Sequence, residues 1–163
     1  MSTFFRNINF RILNLAPLVL LFLITLTGNA VINISFISIN ILYVLVYFWT
    51  LKLPESLGNG YIFLGGIITD VIFGLPIGTN PFTLLIIASV ASYVRNVTVR
   101  ITLINDWISF LPTLIIANFV YFIILYLSDY QIDYIYLLKN SIFTFIFYPI
   151  LWIFFSITLR LIK

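Results

Sequence analysis

One carboxylate stands inside an otherwise apolar stretch of this chain, and burying it requires a chemical reason. The stretch 58–80 reads GNGYIFLGGIITDVIFGLPIGTN and contains Asp70. An Asp at the centre of a membrane helix costs about 2.5–3.5 kcal/mol to insert, so such a group ordinarily faces protein and has hydrogen-bond partners. Gly66, Asp70 and Gly74 recur every four residues and therefore share one helix face.

The glycines on that face allow another helix backbone to come close, which is how helices pack in a membrane. Ala88, Ala91 and Ser92 form a matching small face on the next apolar segment. Asp70 then has three possible roles: it pins this packing, it couples a conformational change or a partner, or it contacts a ligand. Counting about 1.5 Å per residue from the helix ends places Asn118 at the same depth, so Asn118 is its predicted hydrogen-bond partner.

A dense group of turn residues follows the Asp70 segment. Gly74, Pro76, Gly78 and Asn80 fall within seven residues, and such a composition predicts a tight turn between two helices. The turn is either a simple connector or a packed element at the outer surface or in a cavity.

Several kinds of chemistry are excluded by the residue types alone. The chain has no cysteine and no histidine, so thiol nucleophiles, imidazole bases and thiolate or imidazole metal sites are absent. A single buried carboxylate cannot form a two-carboxylate acid/base pair. We therefore predict no enzymatic activity, no catalytic residues, no metal and no cofactor. A net charge of +3 is too small and dispersed to indicate nucleic-acid binding.

The elements that carry these residues are predicted to be membrane helices. The chain is 63% hydrophobic and 8% charged, against about 25% charged residues in soluble domains. Apolar stretches cover residues 12–32, 34–51, 61–75, 82–94, 107–127 and 142–162. We expect an all-α bundle of about six transmembrane helices, with residues 1–163 as one integral membrane domain. The third and fourth stretches are short and either cross the bilayer or form a re-entrant hairpin.

The basic residues predict the orientation of the bundle, because Lys and Arg accumulate in short cytoplasmic loops. With both termini in the cytoplasm, seven basic residues lie inside and Lys139 alone lies outside. The inner set is Arg6, Arg11, Lys52, Arg95, Arg100, Arg160 and Lys163.

The remaining polar and aromatic residues have simpler predicted roles. Asp106 is expected to cap the fifth helix, and Lys52 and Glu55 to be solvated loop charges. The three tryptophans are expected to be interfacial anchors or packing residues.

With Pro76 before the second loop glycine and Asn80 after it, the pattern Gly66-x-x-x-Asp70-x-x-x-Gly74-x-x-x-Gly78 resembles the MreD family. The resemblance covers about a sixth of the chain, together with its length and expected topology. It implies a rod-shape-determining protein of the bacterial inner membrane that helps control peptidoglycan synthesis during elongation. The implied partners are an MreC-like membrane protein and, through it, MreB, RodA and a class B penicillin-binding protein.

The fold implied by the resemblance is similar to the substrate-binding component of energy-coupling-factor vitamin transporters, which is therefore the alternative function. In those components the first helix usually carries small residues four apart for docking on the transport module. Here that helix reads LNLAPLVLLFLITLTGNA and has no alanine pair at that spacing. Long outer loops that close over a vitamin are also missing from the sequence.

Overall fold

Six α-helices account for most of the part of the chain that the structure describes. The computed structural model describes residues 15–34, 37–98 and 102–162. Two of these helices, α5 and α6, are long and apolar enough to cross a membrane. In chain order the elements are α1 Ala16–Leu26, β1 Val31–Ile34, β2 Ile37–Asn40, α2 Ile41–Lys52, a 3-10 turn Pro54–Ser56, α3 Asn59–Phe73, α4 Thr79–Val97, α5 Leu103–Leu127 and α6 Tyr134–Ile162.

The prediction that 12–32 and 34–51 are two helices is wrong where they meet. Helix α1 ends at Leu26, Gly28 adopts a left-handed φ of 68°, and β1 and β2 pair antiparallel from Val31 with Asn40 onward. Strand β1 reads VINI, Ile alternates with Ser and Asn in β2, and β-branched residues favour extended backbone. A short apolar run cannot be assigned to helix or strand by hydrophobicity alone.

Helix α2 lies at the centre of the bundle. Every residue from 42 to 51 is buried, including Tyr47 and Trp49 at 0% exposure. A helix that is apolar on all sides must be surrounded by other elements, and α1, α4 and α6 all pack against it. Trp49 is therefore a packing residue rather than an interfacial anchor.

Aromatic rings from three helices fill the space beside α2. Tyr47 of α2 and Phe110 of α5 have ring centroids 4.9 Å apart, and Phe110 stacks on Tyr148 of α6 at 4.5 Å. Aromatic pairs at these distances contribute about 0.5–1.5 kcal/mol beyond the burial of their surface. The three rings thus join α2, α5 and α6 near the middle of the bundle.

A buried ion pair holds one end of the bundle together. The Nζ of Lys52, at the end of α2, lies 2.8 Å from Oδ2 of Asp106 near the start of α5, and Trp152 Nε1 donates to the same oxygen at 2.8 Å. The side chain of Asp106 is only 2% exposed. Two predictions are wrong here. Lys52 is not a solvated loop charge, because it pairs with Asp106. Asp106 does not cap α5, because Thr102 caps that helix by accepting from the Asn105 N–H.

The opposite end of the bundle contains the strands and the tighter turns. We call it the hairpin end; it consists of residues 28–34, 37–40, 74–78 and 128–133. There Asn40 caps α2 by accepting from Tyr43 N–H, and its own N–H donates to Thr144 Oγ1 of α6 at 2.8 Å. Because Lys52 and Asn40 bound the same helix, the two ends are separated by the length of α2.

Helices α3 and α4 approach each other more closely than side chains would allow. A Cβ atom added at Gly66 would lie 2.5 Å from both Cα and N of Pro81. Real Cβ atoms essentially never come that near to backbone. Gly66 is therefore required by the contact of α3 with the first turn of α4, where its neighbour is Pro81 and not the predicted face of Ala88 and Ala91.

Gly66→Ala is expected to destabilise the protein, because the added methyl group must push the backbones of α3 and α4 apart. Overpacking of this kind costs about 1–3 kcal/mol. The matched control is Gly60→Ala in the same helix, where an added Cβ meets nothing within 4 Å. That change should leave stability unaltered or raise it slightly, since Ala favours helix over Gly. Thermal unfolding of the two purified variants measures the difference, and equal midpoints would contradict the close contact.

Candidate functional site

The carboxylate of Asp70 is fully buried and accepts three hydrogen bonds. Its Oδ2 accepts from the Gly78 N–H at 2.8 Å, and its Oδ1 accepts from Asn80 N–H at 2.9 Å and from Asn80 Nδ2 at 2.8 Å. The exposed fraction of Asp70 is 0%. The donors belong to the residues eight and ten positions after Asp70 in the chain. The site is therefore built within one helical hairpin.

The carboxylate caps the N-terminus of α4. The residue before that helix is Gly78, which has no side chain to cap it, and its φ of 109° places it in the left-handed region. Asp70 supplies the missing acceptor from the preceding helix. A negative group at a helix N-terminus also interacts favourably with the helix dipole. This arrangement offsets the burial of a charge without a cation.

The backbone carbonyl of Asp70 accepts a hydrogen bond at the end of α3, and its carboxylate caps the start of α4. Gly74 takes a left-handed φ of 62°, and the Leu75 N–H donates to the Asp70 carbonyl at 2.9 Å, a bonding pattern common where a helix ends at glycine. The Pro76 carbonyl accepts from both the N–H and the Oγ1 of Thr79, at 3.1 and 2.7 Å. The turn is thus internally bonded through Gly74, Pro76, Gly78 and Asn80, rather than a loose connector.

Asn118 is not the partner of Asp70. Its Nδ2 donates to Ser141 Oγ of α6 at 2.9 Å, and that hydroxyl in turn donates to the Leu137 carbonyl at 2.7 Å. Asn118 and Asn80 do line the same cavity. The error arose because depth does not say which way a side chain points, and a local donor was available in the turn.

A cavity of about 250 Å³ lies at the hairpin end. Its wall combines Asn80 and Asn118 with polar residues that the sequence analysis did not select. These are Asn40, Thr69, Gln131, Asp133, Asn140 and four tyrosines, Tyr43, Tyr121, Tyr130 and Tyr136. In the sequence, the one feature that could have indicated this cavity is the polar stretch after α5, which combines asparagine, aspartate and tyrosine.

The chemical capacity of the Asp70 group is limited by its own bonds. Both carboxylate oxygens are occupied and neither is exposed, so proton exchange with an outside molecule requires the turn to open. Within residues 15–34, 37–98 and 102–162, no three His, Cys, Asp or Glu side chains are grouped so that they could hold a metal ion. The geometry is that of a positioning element, which fits the first of the three roles considered for Asp70.

Asp70→Asn is expected to lower the free energy of unfolding by about 1–3 kcal/mol, the usual cost of leaving a buried donor unpaired. An amide has one oxygen, so its NH2 group must face either the Gly78 or the Asn80 N–H. The control is Asp129→Asn, an exposed residue with a φ of 51° that Asn also tolerates. Denaturant unfolding of both variants provides the measurement. Equal stability of Asp70→Asn and the parent chain would contradict the capping role.

Known proteins supply no further assignment for this site. Comparisons with protein families, with curated proteins and with solved structures find no match to this chain. The functional conclusions therefore depend on the contacts, burial and chemistry described above, together with the resemblance of the Gly66 to Asn80 pattern.

Proposed function

We propose that this chain is a multi-pass protein of the bacterial inner membrane and the MreD-like subunit of the cell-elongation machinery. In this proposal all six helices belong to one integral membrane domain, residues 1–163, with both termini in the cytoplasm. The protein acts by binding partners in the plane of the membrane, first an MreC-like protein and through it MreB, RodA and a class B penicillin-binding protein.

The apolar outer surface supports the membrane part of the proposal. Helices α5 and α6 have 25 and 29 residues, which correspond to about 37 and 43 Å, against about 30 Å of hydrocarbon. On α5, Ile108, Ile115 and Phe119 are each more than 60% exposed and share one face. Soluble monomers rarely expose apolar patches of this extent, whereas lipid or a partner helix would cover them.

One of the short helices, α2, is compatible with a membrane bundle because protein surrounds it. Helix α2 has 12 residues, about 18 Å, which is too short to cross a bilayer alone. Its residues 42–51 are all buried, however, so protein and not lipid surrounds it. The adjoining strands β1 and β2 belong to the hairpin end, and non-helical backbone at membrane depth is tolerated where protein encloses it.

The Gly66–Asn80 hairpin is the observation that carries the family proposal. Four residues of the pattern have structural roles that their types explain. Gly66 leaves room for Pro81, Asp70 caps α4, and Gly74 and Gly78 adopt left-handed φ angles. A pattern used in this way is more specific than glycines that are merely frequent in a membrane helix. A coupling role toward a partner then belongs to the rigid α3–α4 hairpin as a whole.

The cavity favours a second candidate, the substrate-binding membrane component of an energy-coupling-factor-type transporter. A chamber with converging polar groups is a feature of small-molecule sites. We rank this function second because α1 offers no small residues four apart for docking on a transport module. The described connection between α5 and α6 is also short, covering residues 128–133.

Affinity capture in mild detergent and depletion in a rod-shaped cell test the partner proposal. We expect a protein with one membrane helix, of the MreC type, to co-purify, and depleted cells to become round. A tagged, unrelated six-helix membrane protein is the control for non-specific capture. Co-purification of an ATPase transport module, with rod shape retained and uptake of a vitamin lost, would instead establish the second candidate.

Reporter fusions test the proposed orientation. A reporter inserted after Pro76 should be active only outside the cell, because α3 and α4 then cross the bilayer. Its matched control is an insertion in the 3-10 turn Pro54–Ser56, which should be active only inside. Cytoplasmic activity at both positions would show that α3 and α4 form a re-entrant hairpin, and an external C-terminal reporter would overturn the orientation itself.

A further inference from the structure

Five helices, α2 to α6, and both strands contribute residues to the cavity at the hairpin end. Its wall includes Asn40 at the start of α2, Asn80 of α4, Asn118 of α5 and Asn140 of α6. Its rim includes Tyr130 and Asp133, which are exposed. At about 250 Å³ it lies just below the range of about 300–1,000 Å³ typical of small-molecule pockets, so an occupant must be small.

The four asparagines present hydrogen-bonding groups of both kinds. Asn80 and Asn118 each use Nδ2 in a bond within the protein, to Asp70 and Ser141, and so keep Oδ1 as an acceptor. Asn40 and Asn140 each use Oδ1, accepting from Tyr43 N–H and Thr144 Oγ1, and so keep Nδ2 as a donor. Each amide is oriented by its internal bond, so two acceptors and two donors are fixed in advance.

The charges around the cavity favour an uncharged occupant. No Lys or Arg is among the described residues that line it, so an anion would have no counter-ion there. Asp133 is the one carboxylate in the wall, and its Oδ1 already accepts from the Tyr136 N–H at the start of α6. A cation would find one exposed carboxylate at the rim and none in the interior of the cavity.

Aromatic surface completes the wall. Tyr43, Tyr121, Tyr130 and Tyr136 contribute rings that are apolar on their faces and polar at the hydroxyl. A ring-shaped ligand with C–H groups on its faces and hydroxyl or amide groups around its edge matches both kinds of surface. An aliphatic ligand would leave the oriented amides unpaired, which costs free energy for each buried polar group.

We propose that this cavity binds an uncharged ligand of monosaccharide size that carries several hydroxyl or amide groups. The ligand is either a free sugar or the sugar headgroup of a lipid. Because Asn80 both lines the cavity and bonds to Asp70, an occupant at this position contacts the residue that holds the α3–α4 turn. The proposal is independent of the elongation function, since it depends on the cavity alone.

The first experiment measures ligand-dependent stabilisation of the full chain in a detergent without a sugar headgroup. Glucose and N-acetylglucosamine should raise the unfolding midpoint in a saturable way, because a ligand that binds only the folded state stabilises it. Glucose 6-phosphate and protonated glucosamine, the charged counterparts, should bind at least tenfold more weakly. If glucosyl diacylglycerol in nanodiscs stabilises the protein and free sugars do not, the source of the ligand is a lipid headgroup.

Cavity variants locate the binding site. Tyr121→Phe keeps the ring and removes one hydroxyl, and should weaken binding about two- to tenfold, as the loss of one hydrogen bond predicts. Asn118→Leu should weaken it at least as much. Asn96→Leu is the matched control, since Asn96 is exposed on α4 and does not line the cavity. Wild-type affinity in Tyr121→Phe and Asn118→Leu would overturn the proposal.

Two further outcomes decide against the proposal without reference to the variants. One is the absence of saturable binding by any sugar or glucosyl lipid to the parent chain. The other is equal or tighter binding of the charged counterparts. Either result leaves the cell-shape and co-purification experiments unaffected, so failure of the ligand proposal is distinguishable from failure of the proposed function.

Discussion

A charge buried among apolar helices must be surrounded by hydrogen-bond donors, and in this protein Asp70 obtains them from the beginning of the next helix. The geometry of the α3–α4 hairpin follows from that requirement. To bring the Gly78 and Asn80 N–H groups to one carboxylate, the chain must reverse within five residues, which needs left-handed backbone at Gly74 and Gly78. The same reversal brings Pro81 against Gly66, where only a glycine leaves room.

Polar interactions hold both ends of the bundle, whereas apolar contacts fill its middle. At one end Lys52 and Trp152 both contact the Asp106 carboxylate, and at the other Asn40 donates to Thr144. Apolar contacts are non-directional, so by themselves they leave the rotation and sliding of helices poorly defined. Removing one member of a buried ion pair costs about 3–5 kcal/mol, because the other charge stays buried. These bonds therefore fix which helix faces meet around α2.

The protein has an apolar exterior, a rigid hairpin and a polar cavity, and Asn80 belongs to the last two. Its Nδ2 and N–H hold Asp70, while its remaining amide oxygen is available at the cavity wall. A molecule in the cavity and a protein on the outer surface of α3 and α4 would thus act on one connected group of bonds. Under the two proposals, occupancy of the cavity would be coupled to the proposed partner surface through the start of α4.

The amino-acid sequence by itself determined the apolar character, the approximate positions of six helices and the tight turn within the Gly66 to Asn80 segment. These follow from local facts: hydropathy, four-residue spacing and the backbone preferences of glycine and proline. Only the tertiary structure decided that Asn80, not Asn118, pairs with Asp70, that Lys52 meets Asp106, and that residues 31–34 and 37–40 form strands. The first two depend on side-chain direction or on partners distant in the chain, and Asn40 and Thr144, 104 positions apart, are a further distant pair. The cavity belongs to the second group for the same reason, because its wall exists only when the hairpin end of the bundle is assembled.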